Sequence, residues 1–217
     1  MVIAMDGPAC AGKSTLAVLT AKRLNINFLN TGMIFRAIAY ILTKEKVDIN
    51  NLKEVKRTLN NANIDIEYIN GEQVVYVEGI DTRPYISLPE ISQKASIYSQ
   101  IVEIRKIVST IQHKFADKYD LVIEGRDIGT EVFPNAKYKF YITASVESRA
   151  KRRFETYIQN GENITYEEVK NAIIERDYND MNRKISPLKQ ADDAIVIDTS
   201  NDTIEQSLQK IISYIKE

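Results

Sequence analysis

The sequence predicts an α/β protein with about five short parallel strands flanked by helices and one inserted antiparallel hairpin. Three observations predict it. Short apolar runs alternate with helix-periodic stretches along most of the 217 residues. The first of these runs leads into a glycine-bearing turn and then a helical pattern. Between Ile64 and Val77 the texture changes to the apolar–polar alternation of a half-exposed hairpin.

Val2-Ile3-Ala4-Met5 reads as a buried strand ending in the turn Asp6-Gly7-Pro8. Leu16, Leu19 and Leu24 then recur at helical spacing, and Ile26 to Leu29 reads as a second buried strand. A helix is expected from about Met33 to Thr43, with Ile34, Ile38 and Ile41 on one face, and a shorter one over 50–62. Ile64 to Tyr68 and Val74 to Val77 flank Asn70-Gly71, the strongest short hairpin signal. One long helix is expected from about Pro89 to Asp117. Leu121-Val122-Ile123 and Tyr138 to Ile142 read as buried strands, and a charged helix follows from about Val146 to Gln159. Thr165 and Glu168 have capping-box spacing and open a helix to about Arg183. Ala194 to Asp198 is the last strand and Thr203 to Ile215 the last helix.

Composition excludes several function classes. The chain is 44% hydrophobic and 27% charged, as an ordinary globular protein is. A formal net charge of −1 argues against a general nucleic-acid binder, whose field would be basic. Cys10 is the one cysteine and His113 the one histidine, so thiolate or histidine metal clusters and intrachain disulfides are out. His113 lies in a charged stretch and reads as a surface residue. No apolar run approaches the ~20 residues of a membrane span. The amino terminus lacks the basic start of a signal peptide, so the cytoplasm is the expected location; separately, a monomer is expected.

Gly7-Pro8-Ala9-Cys10-Ala11-Gly12-Lys13-Ser14 matches the phosphate-binding loop G-x-x-x-x-G-K-[ST], with Thr15 following. The glycines admit backbone angles that a side chain forbids, so N–H groups can turn inward around a phosphate. The helix beginning near Lys13 adds the positive end of its dipole. Lys13 supplies a cation for the β- and γ-phosphates, and the Ser14 hydroxyl is the expected Mg²⁺ ligand. This is a P-loop NTPase signature in its proper context, strand before and helix after. Cys10 reads as a small side chain that fits the loop.

The loop alone leaves a GTPase, an ATPase or a small-molecule kinase open. No guanine-reading Asn-Lys-x-Asp segment exists. Ile195 to Asp198 has the form of a metal-binding strand end but reads as the last core strand. Arginine decides the matter. Arg36 follows Asn30-Thr31-Gly32 at a helix start, and Arg126 stands just past a strand's carboxyl end, where open α/β sheets bind ligands. Arg149, Arg152 and Arg153 share a helical face, as do Arg176, Asp180 and Arg183. Asp180 on that face is placed to bridge its neighbouring arginines. Such clusters suit two phosphorylated substrates, which repel unless cations lie between them. An ionised phosphate acceptor needs no general base, so positioning and charge neutralisation carry the chemistry.

Asp6-Gly7-Pro8, Thr31-Gly32, Gly125-Arg126-Asp127-Ile128-Gly129-Thr130, Arg149 to Arg153, Glu175-Arg176-Asp177 and Asn182-Arg183-Lys184-Ile185-Ser186-Pro187-Leu188 together resemble the bacterial-type cytidylate kinases. The resemblance runs in order along essentially the whole chain. It implies phosphoryl transfer from ATP·Mg²⁺ to CMP or dCMP. It implies a core (1–30, 118–148 and 164–217), a monophosphate-binding domain with an insertion (31–117) and a lid (149–163). By motif match Lys13, Arg126, Arg149 and Arg153 are catalytic. Thr31, Arg36, Ser96, Arg105, Arg126, Asp127, Arg176, Asp180 and Arg183 bind CMP, with Ser96, Arg105 and Asp127 reading the base. Cytosine offers an amino donor that a carboxylate accepts. Asn30, Ala9 and Ser87 depart from the residues usual in the family. A different small P-loop kinase, such as one for shikimate, and a non-catalytic nucleotide-binding regulator are the competing readings.

Overall fold

The computed structural model describes residues 1–216. In chain order the elements are β1 (Val2–Asp6), α1 (Lys13–Leu24), β2 (Asn27–Asn30), α2 (Thr31–Lys44), α3 (Leu52–Asn61), β3 (Ile64–Ile69), β4 (Glu72–Val77), β5 (Ile80–Asp81), α4 (Arg83–Ile86), α5 (Pro89–Tyr98) and α6 (Val102–Ala116). Then come β6 (Leu121–Glu124), a π-helical turn (Ile128–Val132), β7 (Tyr138–Thr143), α7 (Val146–Gln159), α8 (Tyr166–Asn182), β8 (Ile195–Asp198) and α9 (Ile204–Lys216). These divide into two compact units. One comprises Met1–Phe28 and the chain from Tyr119 onward, and the other Leu29–Lys118.

The five-stranded sheet runs in the order β2-β6-β1-β7-β8. β1 is central, parallel to β6 on one side and β7 on the other. A central parallel strand is covered on both faces, which is why Ile3, Ala4 and Met5 are all buried and do not alternate. The core joins Ile3, Met5, Phe140 and Ile142 to Leu16 and Ala17 of α1 and to Leu208, Ile211 and Ile212 of α9. Being parallel, β1, β6 and β7 end at one edge of the sheet, at Asp6, at Glu124 opposite Met5, and at Thr143, two residues beyond the partner of Asp6. Residues that follow those ends are therefore delivered to one edge of the sheet. The expected capping box is present: Glu168 N–H donates to Thr165 Oγ1, and Thr165 N–H to the Glu168 carboxylate.

The second unit carries the insertion. Asn70 and Gly71 both have positive φ, 54° and 80°, as the tight turn between β3 and β4 requires. The hairpin is in fact a three-stranded sheet, because β5 returns beside β4 after Gly79. The single long helix expected over 89–117 is two. α5 stops at Tyr98 and α6 starts at Val102, with Ile101 extended between them. The break is held by side chains: Ser99 Oγ donates to Ser96 O, and Arg105 Nη1 donates to Ser99 O at 3.0 Å.

Candidate active site

The phosphate loop joins β1 to α1 and turns through three residues of positive φ, Gly7 (147°), Cys10 (59°) and Gly12 (87°). A Cβ on Gly7 would stand 1.9 Å from the Ile142 carbonyl oxygen of β7, so only glycine fits there. Three loop carbonyls are tied down. Lys13 Nζ donates to Pro8 O (2.5 Å), Arg149 Nη1 to Ala9 O (3.1 Å) and Thr199 Oγ1 to Ala11 O (3.0 Å). Gly12 caps α1 without a side-chain bond, which leaves the first-turn amides for an anion.

Lys13 is buried. Burial first, and then the like charge of Arg126, draw its ammonium from 10.5 to about 7, with Glu124 acting against them and Arg176 adding to them. Arg126 donates through Nε to Asp180 Oδ2 at 2.8 Å. Arg183 Nη2 lies 3.6 Å from the buried Asp127 Oδ1. Asp180 thus pairs across to the turn after β6, rather than only along its own helix. Partial enclosure, and then the Arg126 charge, lower the pKa of Arg176 on α8. Arg126 thus disfavours the charge on both Lys13 and Arg176 while its own is supported by Asp180, Glu124 and Asp6, and a bound polyanion would relieve Lys13 and Arg176.

The three arginines expected on one face of α7 have separate duties. Arg149 is buried, giving Nε to Ala144 O (2.9 Å) and Nη1 to Asp177 Oδ2 (2.6 Å) as well as to Ala9 O. Arg152 donates to Thr199 Oγ1. Arg153 is exposed, its guanidinium 4.3 Å from the Tyr157 ring centroid. Thr15 lies exposed in the first turn of α1.

Two carboxylates at this edge carry no role in the sequence reading. Glu124, the buried last residue of β6, accepts from Ser14 Oγ at 2.8 Å on both oxygens. Asp6, the buried last residue of β1, accepts from the Ile128 and Gly129 amides at 2.9 and 2.7 Å. Burial is the largest influence on Asp6 and lifts it from 3.8 to about 6, although the two amides pull it down. The signal available in the sequence was a charged residue closing an otherwise apolar strand just before glycine.

In the second unit Thr31 is the buried first residue of α2, and Arg36 lies half-buried one turn further on. Ser96 is on α5. Arg105 is on α6, its guanidinium 5.7 Å from the Phe35 ring centroid. Asn30 caps α2 by accepting from Met33 N–H, a job aspartate would do equally well. Its backbone N–H donates to the side chain of the buried Gln73 on β4 (2.6 Å), which donates back to Asn30 O (3.3 Å).

The family model described as cytidylate kinase matches residues 3–217. The chain belongs to the cytidylate kinase family. It is 44% identical over 214 residues to the cytidylate kinase of Clostridium botulinum (strain Langeland), with 99% of this chain and 97% of the relative covered. The Clostridioides difficile (strain 630) cytidylate kinase is 41% identical, with 99% of this chain and 98% of the relative covered. Among solved structures, shikimate kinase from Bacteroides thetaiotaomicron superposes with a TM-score of 0.50 at 14% identity, covering 100% and 99% of the two chains. At that identity the likeness is one of fold. The strand order β2-β6-β1-β7-β8 and the phosphate loop are thus the frame on which this member of the family carries its arginines. Among the described residues no helix is long and apolar enough to cross a membrane.

Proposed function

We propose that the chain transfers the γ-phosphoryl group of ATP to CMP or dCMP, giving ADP and the pyrimidine nucleoside diphosphate. The observation that carries this reading is the crowding of Lys13, Arg126 and Arg176 beside a phosphate loop in a chain of the cytidylate kinase family. Their mutual repulsion favours a bound polyanion before any chemistry begins. The family's name supports the cytidylate acceptor.

In this reading residues 7–15 hold the triphosphate and Lys13 neutralises its terminal oxygens. Arg126 faces the transferring group, and Arg153, exposed on the proposed lid of residues 149–163, reaches the triphosphate. Arg149 serves from below, holding the loop by the Ala9 carbonyl. Arg36, Arg126 and Arg183 hold the acceptor phosphate. Thr31, Ser96, Arg105 and Asp127 form the nucleoside side, and Arg176 with Asp180 the sugar side. The proposed division is a core of 1–30, 118–148 and 164–217 and an acceptor domain of 31–117. A monomer working in the cytoplasm fits this metabolism.

The residues fit Mg²⁺. Ser14 and Glu124 offer hard oxygen donors, and Mg²⁺ is commonly held by one or two such groups together with phosphates and water. Among the described residues no cluster of three metal-ligating side chains exists, as such a site needs none. The hydroxyl hydrogen of Ser14 points to Glu124, which leaves its lone pairs for the metal. When bound, Mg²⁺ supplies charge neutralisation on the phosphates.

A coupled assay across CMP, dCMP, UMP, AMP and shikimate tests the proposal. CMP and dCMP should be turned over best and UMP poorly. A preference for AMP or shikimate overturns the substrate assignment. ATP binding with no ADP formed in the presence of CMP would favour a regulator.

A further inference from the structure

We infer that Asp6 is a positioning residue, which sets the turn bearing Arg126 and Asp127 against the phosphate loop. This rests on the proposed roles of Arg126 and Asp127 at the acceptor. Asp6 is the last residue of β1 and immediately precedes Gly7, the first residue of the loop. Its carboxylate reaches across to the segment following the neighbouring strand β6, where Oδ1 accepts from Ile128 N–H and Oδ2 from Gly129 N–H. Two consecutive amides are thus gripped by two oxygens of one group. That contact fixes the backbone directly after Arg126 and Asp127.

The choice of residue points the same way. A buried carboxylate with no ion-pair partner at hydrogen-bond range is an expensive way to hold a turn. Among the described residues, Asp6's side-chain hydrogen bonds are these two amide contacts, and no salt bridge includes it. An asparagine of equal size would accept from one amide and present its own N–H to the other. Gly129 admits the close approach, since a Cβ there would lie 3.4 Å from Asp6 Oδ2 and 3.2 Å from Lys139 Cδ. The segment it holds is itself unusual. Val132 N–H reaches Asp127 O and Phe133 N–H reaches Ile128 O, the wide i→i+5 spacing of a π turn. Such a turn has poor intrinsic stability and benefits from an outside anchor. Arg126 is set further by Asp180 and Asp127 by Arg183, so the two side chains have their own supports. Asp6 supplies the backbone register that lets both supports act at once. Transfer between two bound phosphates is sensitive to shifts of about an ångström, and Asp6 joins the donor loop to the acceptor turn through one side chain.

The test uses the full-length protein with Asp6→Asn, Asp6→Glu and, as a reference, Asp127→Ala. For Asp6→Asn the KM for CMP should rise about tenfold, the size of one lost charge-assisted hydrogen bond. The CMP-over-UMP ratio of kcat/KM should fall, while ATP affinity measured without acceptor stays within about twofold of wild type, since the loop carbonyls are held by other residues. Asp6→Glu, with both oxygens kept, should recover part of the loss. A structural role alone would lower the melting temperature and leave the KM split and the ratio unmoved. If Asp127→Ala erodes the ratio and Asp6→Asn leaves both ratio and KM unchanged, the Asp6 inference is overturned. If Asp127→Ala leaves the ratio intact, the base-reading assignment fails instead. Should Asp6→Asn not fold, amide hydrogen exchange on the wild-type protein decides. Ile128 and Gly129 should exchange slowly, and exchange at the rate of an exposed loop would overturn the inference.

Discussion

A buried carboxylate that grips amides instead of a cation bears a cost that varies with pH. Asp6 titrates at about 6 in the folded chain, against an ordinary 3.8. The folded state therefore holds this proton more tightly than the unfolded state. Its contribution to stability is fully present below the unfolded value and is lost as pH rises through the folded one. Lys13 and Asp127 are the charged side chains that act on it, with opposite signs. Across that window the loss amounts to about 3 kcal/mol. Asp6→Asn should remove the slope. Urea denaturation of wild type and variant between pH 4 and pH 7 should show the wild type losing ground by about that amount. A pH-independent difference would mean that Asp6 titrates as an ordinary carboxyl. Asp6 and Glu124 also mark what the sequence withheld. Lys13, Ser14 and Arg126 were legible because motif and strand context assign them work. A carboxylate before a glycine looks like any turn residue until β1 and β6 are known to be neighbours.

At the scale of elements, local chemistry decided what could be read. Asn70-Gly71, the Thr165–Glu168 capping box and the apolar strands carry their instructions within a few residues. The break between α5 and α6 does not. It is bridged by Arg105 returning to the Ser99 carbonyl, while helical periodicity in the sequence runs straight through it. β5 was likewise invisible, since two residues have no period. The strand-to-loop junction yields a prediction of rank. Gly7 and Gly12 both have positive φ, yet only Gly7 faces another backbone, the Ile142 carbonyl, while nothing lies within 4 Å of a Cβ on Gly12. Gly12→Ala should cost about 1–2 kcal/mol, the strain of a left-handed residue. Gly7→Ala should cost roughly 3 kcal/mol or more, because β7 cannot yield without losing its pairing. Denaturant melts of the two variants check the order, and equal losses would contradict the steric argument.

For the whole molecule, charge is nearly balanced at −1, yet the edge of the core sheet concentrates cations. Burial first, and then the charges of Arg126 and Arg176, draw the Lys13 ammonium down to about 7. A molecule so arranged stores repulsion at one edge that a nucleotide releases, and the release must appear in global stability. ATP·Mg²⁺ at about 100 times its dissociation constant should stabilise the fold by about 2.7 kcal/mol. For a chain of this size that corresponds to a rise in melting temperature of roughly 5–10 °C. Lys13→Ala removes the Lys13 share of that repulsion together with a cation for the triphosphate. It should melt no lower than wild type without nucleotide, gain much less from ATP·Mg²⁺, and turn over about a hundredfold more slowly. A thermal-shift titration of both proteins alongside the kinase assay separates these outcomes. An equal shift in the two would show that the triphosphate is not held through Lys13. A large fall in the unliganded melting temperature of Lys13→Ala would mean that the Pro8 contact holds the loop shape and outweighs the repulsion it relieves.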